Sequence, residues 1–267
     1  MLLIFYLIVC FIVSSALYSV YLPTPNNWWY LLWVIAGLGT MIIMFILLTL
    51  LNLLIFRYTK PENKFKHWAL WEYVDFILLF LHVKIEVEGL ENIPADPVVI
   101  YGNHKSMLDP VILYYIYKKS MLSAVGKSTL NKVGFLRRLM RYMGAISINR
   151  DNDREAAKEM IKGIKRIKET GMGYIIFPEG GIKTRDTEEM VDVKPGAYKL
   201  STKALAAISP VSIIGTSKFI HMKFFGSNTC KVIIHKPILK EEYINLTTQE
   251  LGDKVLDIVN TGVRNGK

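Results

Sequence analysis

The sequence predicts an α/β fold: a layered domain with a mostly parallel sheet, preceded by an N-terminal hydrophobic two-helix leader. Three observations predict it. Met1 to Phe56 contains no Lys, Arg, Asp or Glu, so the whole formal charge of +10 falls on the rest of the chain. From Val83 onward, short β-rich runs alternate with helical ones, as strands joined by crossover helices do. The length of 267 residues suits one full-sized domain plus an appendage, at roughly 100 to 200 residues per domain. The expected division is a membrane anchor over residues 1–57 and a cytosolic α/β domain over 58–267.

Taken in order, Leu2 to Leu22 and Trp28 to Phe56 are two apolar runs separated by "PTPNN". Each exceeds the ~20 residues that a helix needs to cross the hydrocarbon of a bilayer. A cleaved signal peptide is the competing reading of the first run, but it has no basic n-region and a second apolar segment follows at once. Trp28, Trp29, Tyr30 and Trp33 cluster where the second run begins, and amphipathic rings favour the membrane interface. Arg57, Lys60, Lys64 and Lys66 follow its other end, whereas the loop over 21–28 is uncharged, so the positive-inside rule puts the main domain in the cytoplasm at the cell membrane. Hydrophobic length alone leaves open whether the leader spans the bilayer or dips into one leaflet. Cys10 and Cys230 lie too far apart in the chain to read as a disulfide framework. The stretch over 67–83 carries Glu72 and Asp75 among apolar residues and reads as an amphipathic helix, under the domain or along a surface.

The soluble part supplies strand-like runs over 83–89, 97–101, 122–126, 144–149, 173–178, 208–214 and 230–235, and helical runs over 109–118, 131–142, 153–170, 195–207 and 248–264. In sheets of this kind functional groups collect beyond the carboxyl ends of the strands. "PVVIY" delivers "GNHKSMLD" to that edge, and "YIIFP" delivers Glu179 to it. His104 precedes Asp109 by one turn of chain, and the segment from Ser106 or Asp109 onward has the composition of a helix start. A carboxylate bonded to one imidazole nitrogen leaves the other to take a proton, which makes a base with an orienter and no fixed nucleophile. The plainer alternative is a helix cap beside a surface histidine.

These residues resemble a family. Asn103 to Asp109 reads "NHKSMLD" and resembles the NHxSxxD block of the glycerophospholipid acyltransferases. "GAISINR" (144–150), "FPEGG" (177–181) and "ISPVSI" (208–213) resemble that family's second, third and fourth blocks in the same order, and "IEVEGLENIP" (85–94) its lead-in. The resemblance implies a layered α/β acyltransferase domain that moves an acyl group from a thioester to the sn-2 hydroxyl of a lysophosphatidic acid. It implies His104 as general base, Asp109 as its orienter, and a substrate-binding set of Asn103, Ser106, Arg150, Glu179 and Gly180, with Ser106 a cap and not a nucleophile. The third block departs from the family's EGTR. This chain reads "EGGIKTR", with Ile182 where the arginine is expected, so either Arg185 returns through a longer loop or Lys183 stands in as a point charge.

The resemblance implies no bound cofactor and no metal; the acyl donor is acyl-CoA or an acyl-carrier protein, and the partners are membrane lipids. A metal site of His104, Asp109 and Glu179 is the rival enzyme reading, with one histidine and no cysteine cluster to support it. Glycerol-3-phosphate or another lysophospholipid is the alternative acceptor, and a non-catalytic lipid-binding protein is the alternative to an enzyme. Lys105, Lys127, Lys132, Arg137, Arg138 and Arg141 form a basic cluster suited to phosphate headgroups, to an acidic carrier protein or to plain solvation. No nucleic-acid module accompanies the charge.

Overall fold

A computed structural model describes residues 2–21, 28–94, 97–129, 133–149, 152–221, 226 and 228–266. The chain opens with helices α1 (Leu2–Tyr21), α2 (Trp28–Tyr58) and α3 (Lys64–Phe80). The first two pack on each other and leave most of their apolar side chains exposed. They contain stretches of 18 and 28 residues that suffice, by length and composition, to cross a membrane. The "PTPNN" turn and the side chains of Trp28, Trp29 and Tyr30 lie outside the described residues, while Trp33 is buried.

Helix α3 starts earlier than the apolar pattern indicates because Asn63 caps it, its side chain accepting from the Lys66 amide at 3.2 Å. It lies under the domain: Val74 and Leu78 join the core beneath the sheet. Glu72, at the opposite side of the same helix, accepts from the Leu3 amide at 3.2 Å, tying α1 to α3.

Among the described residues seven strands follow, β1 (Val83–Glu88), β2 (Val98–Gly102), β3 (Leu122–Lys127), β4 (Ile146–Ile148), β5 (Gly173–Ile176), β6 (Ala207–Ile214) and β7 (Asn228–Ile234), arranged in one sheet in the order β1-β7-β6-β2-β5-β3-β4. All neighbours are parallel except β6 and β7. The central strand β2 shows why such sheets read as unbroken apolar runs. Val98 and Ile100 face helices α3 and α4 (Asp109–Ile116), Val99 and Tyr101 face the opposite layer, and none of the four is exposed. That opposite layer contains α6 (Asp153–Thr170), α7 (Lys199–Ala204) and α9 (Thr248–Asn265). Helix α5 (Gly134–Tyr142) covers the α2–α3 junction, and α8 (Lys240–Tyr243) is a short turn before α9.

The ends are chemically specified. Asn152 caps α6 by accepting from the Glu155 amide, Gly171 in left-handed backbone closes it, and Thr247 with Glu250 forms a capping box on α9. The helical run over 195–207 is divided by the structure into a 3₁₀ turn at Pro195–Tyr198, then α7, which stops where Leu205 takes φ 58°. That break frees Ala207 to begin β6.

Candidate active site

Parallel pairing of β2 with both β5 and β6 sends three chain exits to one edge of the sheet. Gly102 is followed by Asn103 and His104, Ile176 by Phe177 and Glu179, and Ile214 by Gly215 and Thr216. The His104 turn is then held from below. Asp109, the first residue of α4, turns Oδ2 back to the preceding chain, where it accepts the Lys105 amide at 2.7 Å, the Ser106 amide at 2.7 Å and His104 Nδ1 at 3.0 Å. A carboxylate is an acceptor only, so Nδ1 carries the proton and Nε2 is the basic nitrogen. Asp109 thus does more than end a helix: its oxygen fixes the turn and the tautomer together.

His104 is 14% exposed at the side chain and stacks on Phe177, with ring centroids 4.2 Å apart. Its backbone amide donates to Glu179 Oε1 at 2.8 Å. The other Glu179 oxygen meets Lys105 Nζ at 3.1 Å, and neither side chain of that ion pair is exposed. Burial pushes the Glu179 carboxyl above the usual carboxylate range, opposed by the His104 amide and the Lys105 ammonium. Glu179 is therefore occupied in holding the histidine's backbone. Lys105, which the sequence groups with the surface cations, is a buried strut instead.

The remaining candidates divide clearly. Asn103 is fully buried and spends its amide on the carbonyls of Glu188 and Ile213 and on the Ile213 amide, stitching β2 to β6 and to the loop after β5. Ser106 accepts the Leu108 amide with Oγ at 3.2 Å, a turn-capping contact. Gly180 adopts φ 73°, a left-handed backbone that favours glycine, and its amide closes a turn on the Phe177 carbonyl. From there the "IKTR" loop returns to the site: Arg185 Nε donates to the Lys105 carbonyl at 3.1 Å, leaving its two terminal nitrogens outside that bond. Lys183 pairs with Asp192 at 2.9 Å. Arg150 and Lys132 lie outside the described residues.

Glu188 is a site residue that sequence reasoning misses. This buried carboxylate accepts the Gly215 and Ser217 amides and the Ser217 hydroxyl with Oε1, clamping the loop after β5 to the end of β6. No local pattern marks it, because its partners come from a strand that the chain reaches later. Among the described residues no group of three His, Cys, Asp or Glu converges as a metal site. What the edge offers is a hydrogen-bonded His–Asp pair, a cationic side chain on a returning loop and, among the described residues, no nucleophile at hydrogen-bond distance from the ring: the equipment to deprotonate a hydroxyl brought in by a ligand.

Residues 84–214 match the model of the family described as Acyltransferase. The 1-acyl-sn-glycerol-3-phosphate acyltransferase of Borreliella burgdorferi is 34% identical over 154 residues, covering 57% of this chain and 60% of that protein. The protein of the same name from Saccharomyces cerevisiae is 30% identical over 177 residues, 66% of this chain and 57% of that one. The chain thus spans less than two thirds of the length of these curated relatives. Among solved structures, the 1-acyl-sn-glycerophosphate (LPA) acyltransferase PlsC from Thermotoga maritima shares the fold with a TM-score of 0.63 at 23% identity, covering 76% of this chain and 80% of that one.

Proposed function

We propose, from the match of residues 84–214 to the acyltransferase family, that this chain transfers an acyl group from an acyl thioester to the sn-2 hydroxyl of 1-acyl-sn-glycerol-3-phosphate, giving phosphatidic acid. The observation that carries the reading is the 3.0 Å contact between His104 Nδ1 and Asp109 Oδ2 at the carboxyl edge of β2. With Nδ1–H held by the carboxylate, Nε2 takes the proton of the acceptor hydroxyl as its oxygen attacks the thioester carbonyl. The tetrahedral intermediate collapses with release of the thiolate, and the imidazolium returns its proton to that sulfur. A positioned base of this kind contributes on the order of 10²- to 10⁴-fold.

The oxyanion needs a donor near the same turn. The amides of His104, Lys105, Ser106, Leu108 and Asp109 are all taken within the fold. The Met107 amide has no partner among the described residues, and we assign it that part. Arg185, with Arg150, supplies the cationic fork for the glycerol phosphate, and Gly180 and Gly181 allow backbone approach. Asn103, Ser106 and Glu179 act by holding the turn in shape, and Lys183 is peripheral to it. Both acyl-CoA and an acyl-carrier protein satisfy the chemistry as donor.

The same reading makes residues 1–57 a membrane anchor that keeps the site beside its lipid substrate, with the domain over 58–267 on the cytoplasmic side of the cell membrane. The uncharged 21–28 loop and the cations Arg57, Lys60 and Lys64 beyond α2 support that orientation. Purified protein in mixed micelles, offered a labelled acyl thioester with lysophosphatidic acid and glycerol-3-phosphate in competition, tests the proposal. Labelled phosphatidic acid is the expected product; label in the glycerol-3-phosphate product alone would move the acceptor one acylation earlier.

A further inference from the structure

Lys66 is a fully buried lysine outside the site already described. Its ammonium has three protons, and all three are placed: on the Phe56 carbonyl at 2.9 Å, the Thr59 carbonyl at 3.0 Å and the Tyr142 carbonyl at 2.9 Å. Phe56 lies in the last turn of α2 and Thr59 follows it directly, and Tyr142 is the last residue of α5. One side chain therefore caps two helices at once, where their free carbonyls and partial negative charge collect. A small core of Phe56, Ala69 and Met143, with Leu139 packed against it, closes the same junction. Helix α5 is thereby fixed at the level where the apolar helix α2 ends.

The start of α5 and the face it turns away from this junction are uncovered. Phe135, in the first turn and on the side that Leu139 continues toward the junction, is 54% exposed, and Val133 just before the helix is exposed too; Arg138 lies beside Phe135 one turn on, and Arg137 and Arg141 are exposed on the outer side. Among the described residues none of the three arginines pairs with a carboxylate. At the start of α3, beside the α2 exit, Phe65 and Trp68 are also exposed, their rings tilted against each other with centroids 5.5 Å apart. Aromatic side chains interleaved with cations, held at the end of a membrane-length helix, have the composition of a headgroup-layer contact.

We propose that α5 is a second, interfacial membrane contact: Phe135 enters the headgroup layer, Arg137, Arg138 and Arg141 meet anionic lipid phosphates, and Lys66 sets the depth by locking α5 to the anchor. The occupant is the anionic leaflet and not an acidic carrier protein, because the patch is continuous with the anchor's exit end and carries aromatic side chains among its cations. The inference rests on the reading of α1 and α2 as a membrane anchor, and its test separates the two.

Spin labels are placed singly at Leu47→Cys on α2, Phe135→Cys on α5 and Lys168→Cys on α6, in the full chain carrying Cys10→Ala, with Cys230 buried. Accessibility to oxygen and to a water-soluble nickel chelate is read in vesicles of phosphatidylcholine with and without phosphatidylglycerol. The expected result is an oxygen-dominated label at 47, a label at 135 that shifts from chelate-dominated toward oxygen-dominated when phosphatidylglycerol is present, and a chelate-dominated label at 168. Reversing Arg137, Arg138 and Arg141 to Glu should return the label at 135 to water while leaving 47 unchanged. A buried label at 47 with one at 135 in water under both lipids would overturn the inference and spare the anchor. A label at 47 in water would overturn both. Shielding at 135 that arises only on adding acyl-carrier protein would hand the surface to a protein partner.

Discussion

His104 and His235 each put a ring nitrogen at hydrogen-bond distance from an oxygen, Asp109 Oδ2 at 3.0 Å and Ser212 Oγ at 2.7 Å. On distance alone the second pair is the better candidate for catalysis, a serine beside an imidazole. The surroundings reverse that ranking. Ser212 is buried between β6 and α9, and its hydroxyl donates to the Val259 carbonyl at 2.7 Å. Its one proton is spent there, so it can only accept from His235 Nε2–H, and no proton moves from serine to ring. Burial also pulls the His235 ring below its ordinary value, which keeps it neutral. Gly262 of α9 sits so close that a Cβ there would meet Ser212 Oγ and His235 Cε1, further marking this pair as helix-to-sheet packing. His104 has a partner that can only accept, an orientation fixed by two backbone amides, and a second nitrogen on the exposed edge. What separates the candidate base from a packing histidine is the direction of the neighbouring hydrogen bonds.

The largest effect expected from breaking this contrast is in turnover. His104→Ala should lower kcat on the order of 10²- to 10⁴-fold while leaving the melting temperature nearly unchanged, because the ring stacks only on Phe177 at the sheet edge. Asp109→Asn should lower kcat by a similar factor through loss of the fixed tautomer. Retained turnover in either variant, measured with saturating acceptor, contradicts the assignment.

Lys105→Met sharpens the distinction between base and strut. It strands the Glu179 carboxylate in a site with no exposure, and breaking a buried pair in this way costs about 3 to 5 kcal/mol of stability. Adding Glu179→Gln should recover much of it, since the leftover charge is then removed. Chemical denaturation of both variants checks this, and equal stability of the single and double variants would remove the strut role.

A third histidine extends the comparison to pH. His67 is buried between α3, α4 and the loop after α2, with Nε2–H donating to the Pro61 carbonyl at 3.0 Å and Nδ1 facing the Tyr114 hydroxyl at 2.9 Å. Both ring nitrogens are satisfied in the neutral form, and burial pulls the pKa down from 6.5 to about 4. A histidine depressed in the fold adds stability above its unfolded value that is lost as pH falls from 6.5 toward about 4; the whole window corresponds to roughly 3 kcal/mol. In His67→Gln the fall of the melting temperature over that window should be much shallower. The smallest effect belongs to the packing pair: Ser212→Ala should cost about 1 to 3 kcal/mol by leaving the Val259 carbonyl and His235 without their partner, with kcat unaltered.

The strands and most helices were legible because each carries its own period, as the unbroken apolar β2 and the Asn152-capped α6 show. That His104, Asp109 and Glu179 gather at one edge was legible because the strands before them, β2 and β5, are parallel and end there. Roles that depend on partners distant in sequence were not. Glu179 reads as a ligand of substrate until its oxygens are seen on the His104 amide and Lys105. Lys66 reads as one of four surface cations behind the apolar leader until its ammonium is seen on carbonyls of two helices, one of them 76 residues away in sequence. Antiparallel β7 carries the same alternation as a parallel strand, so its direction appears only in the pairing register with β6.

The most direct test of the account is single-turnover acyl transfer to lysophosphatidic acid by the intact protein, His104→Ala and His235→Ala side by side. The account predicts a loss on the order of 10²-fold or more for His104→Ala and a rate within about twofold of the intact protein for His235→Ala. An unchanged rate in the first, or a loss of the same size in the second, would contradict it.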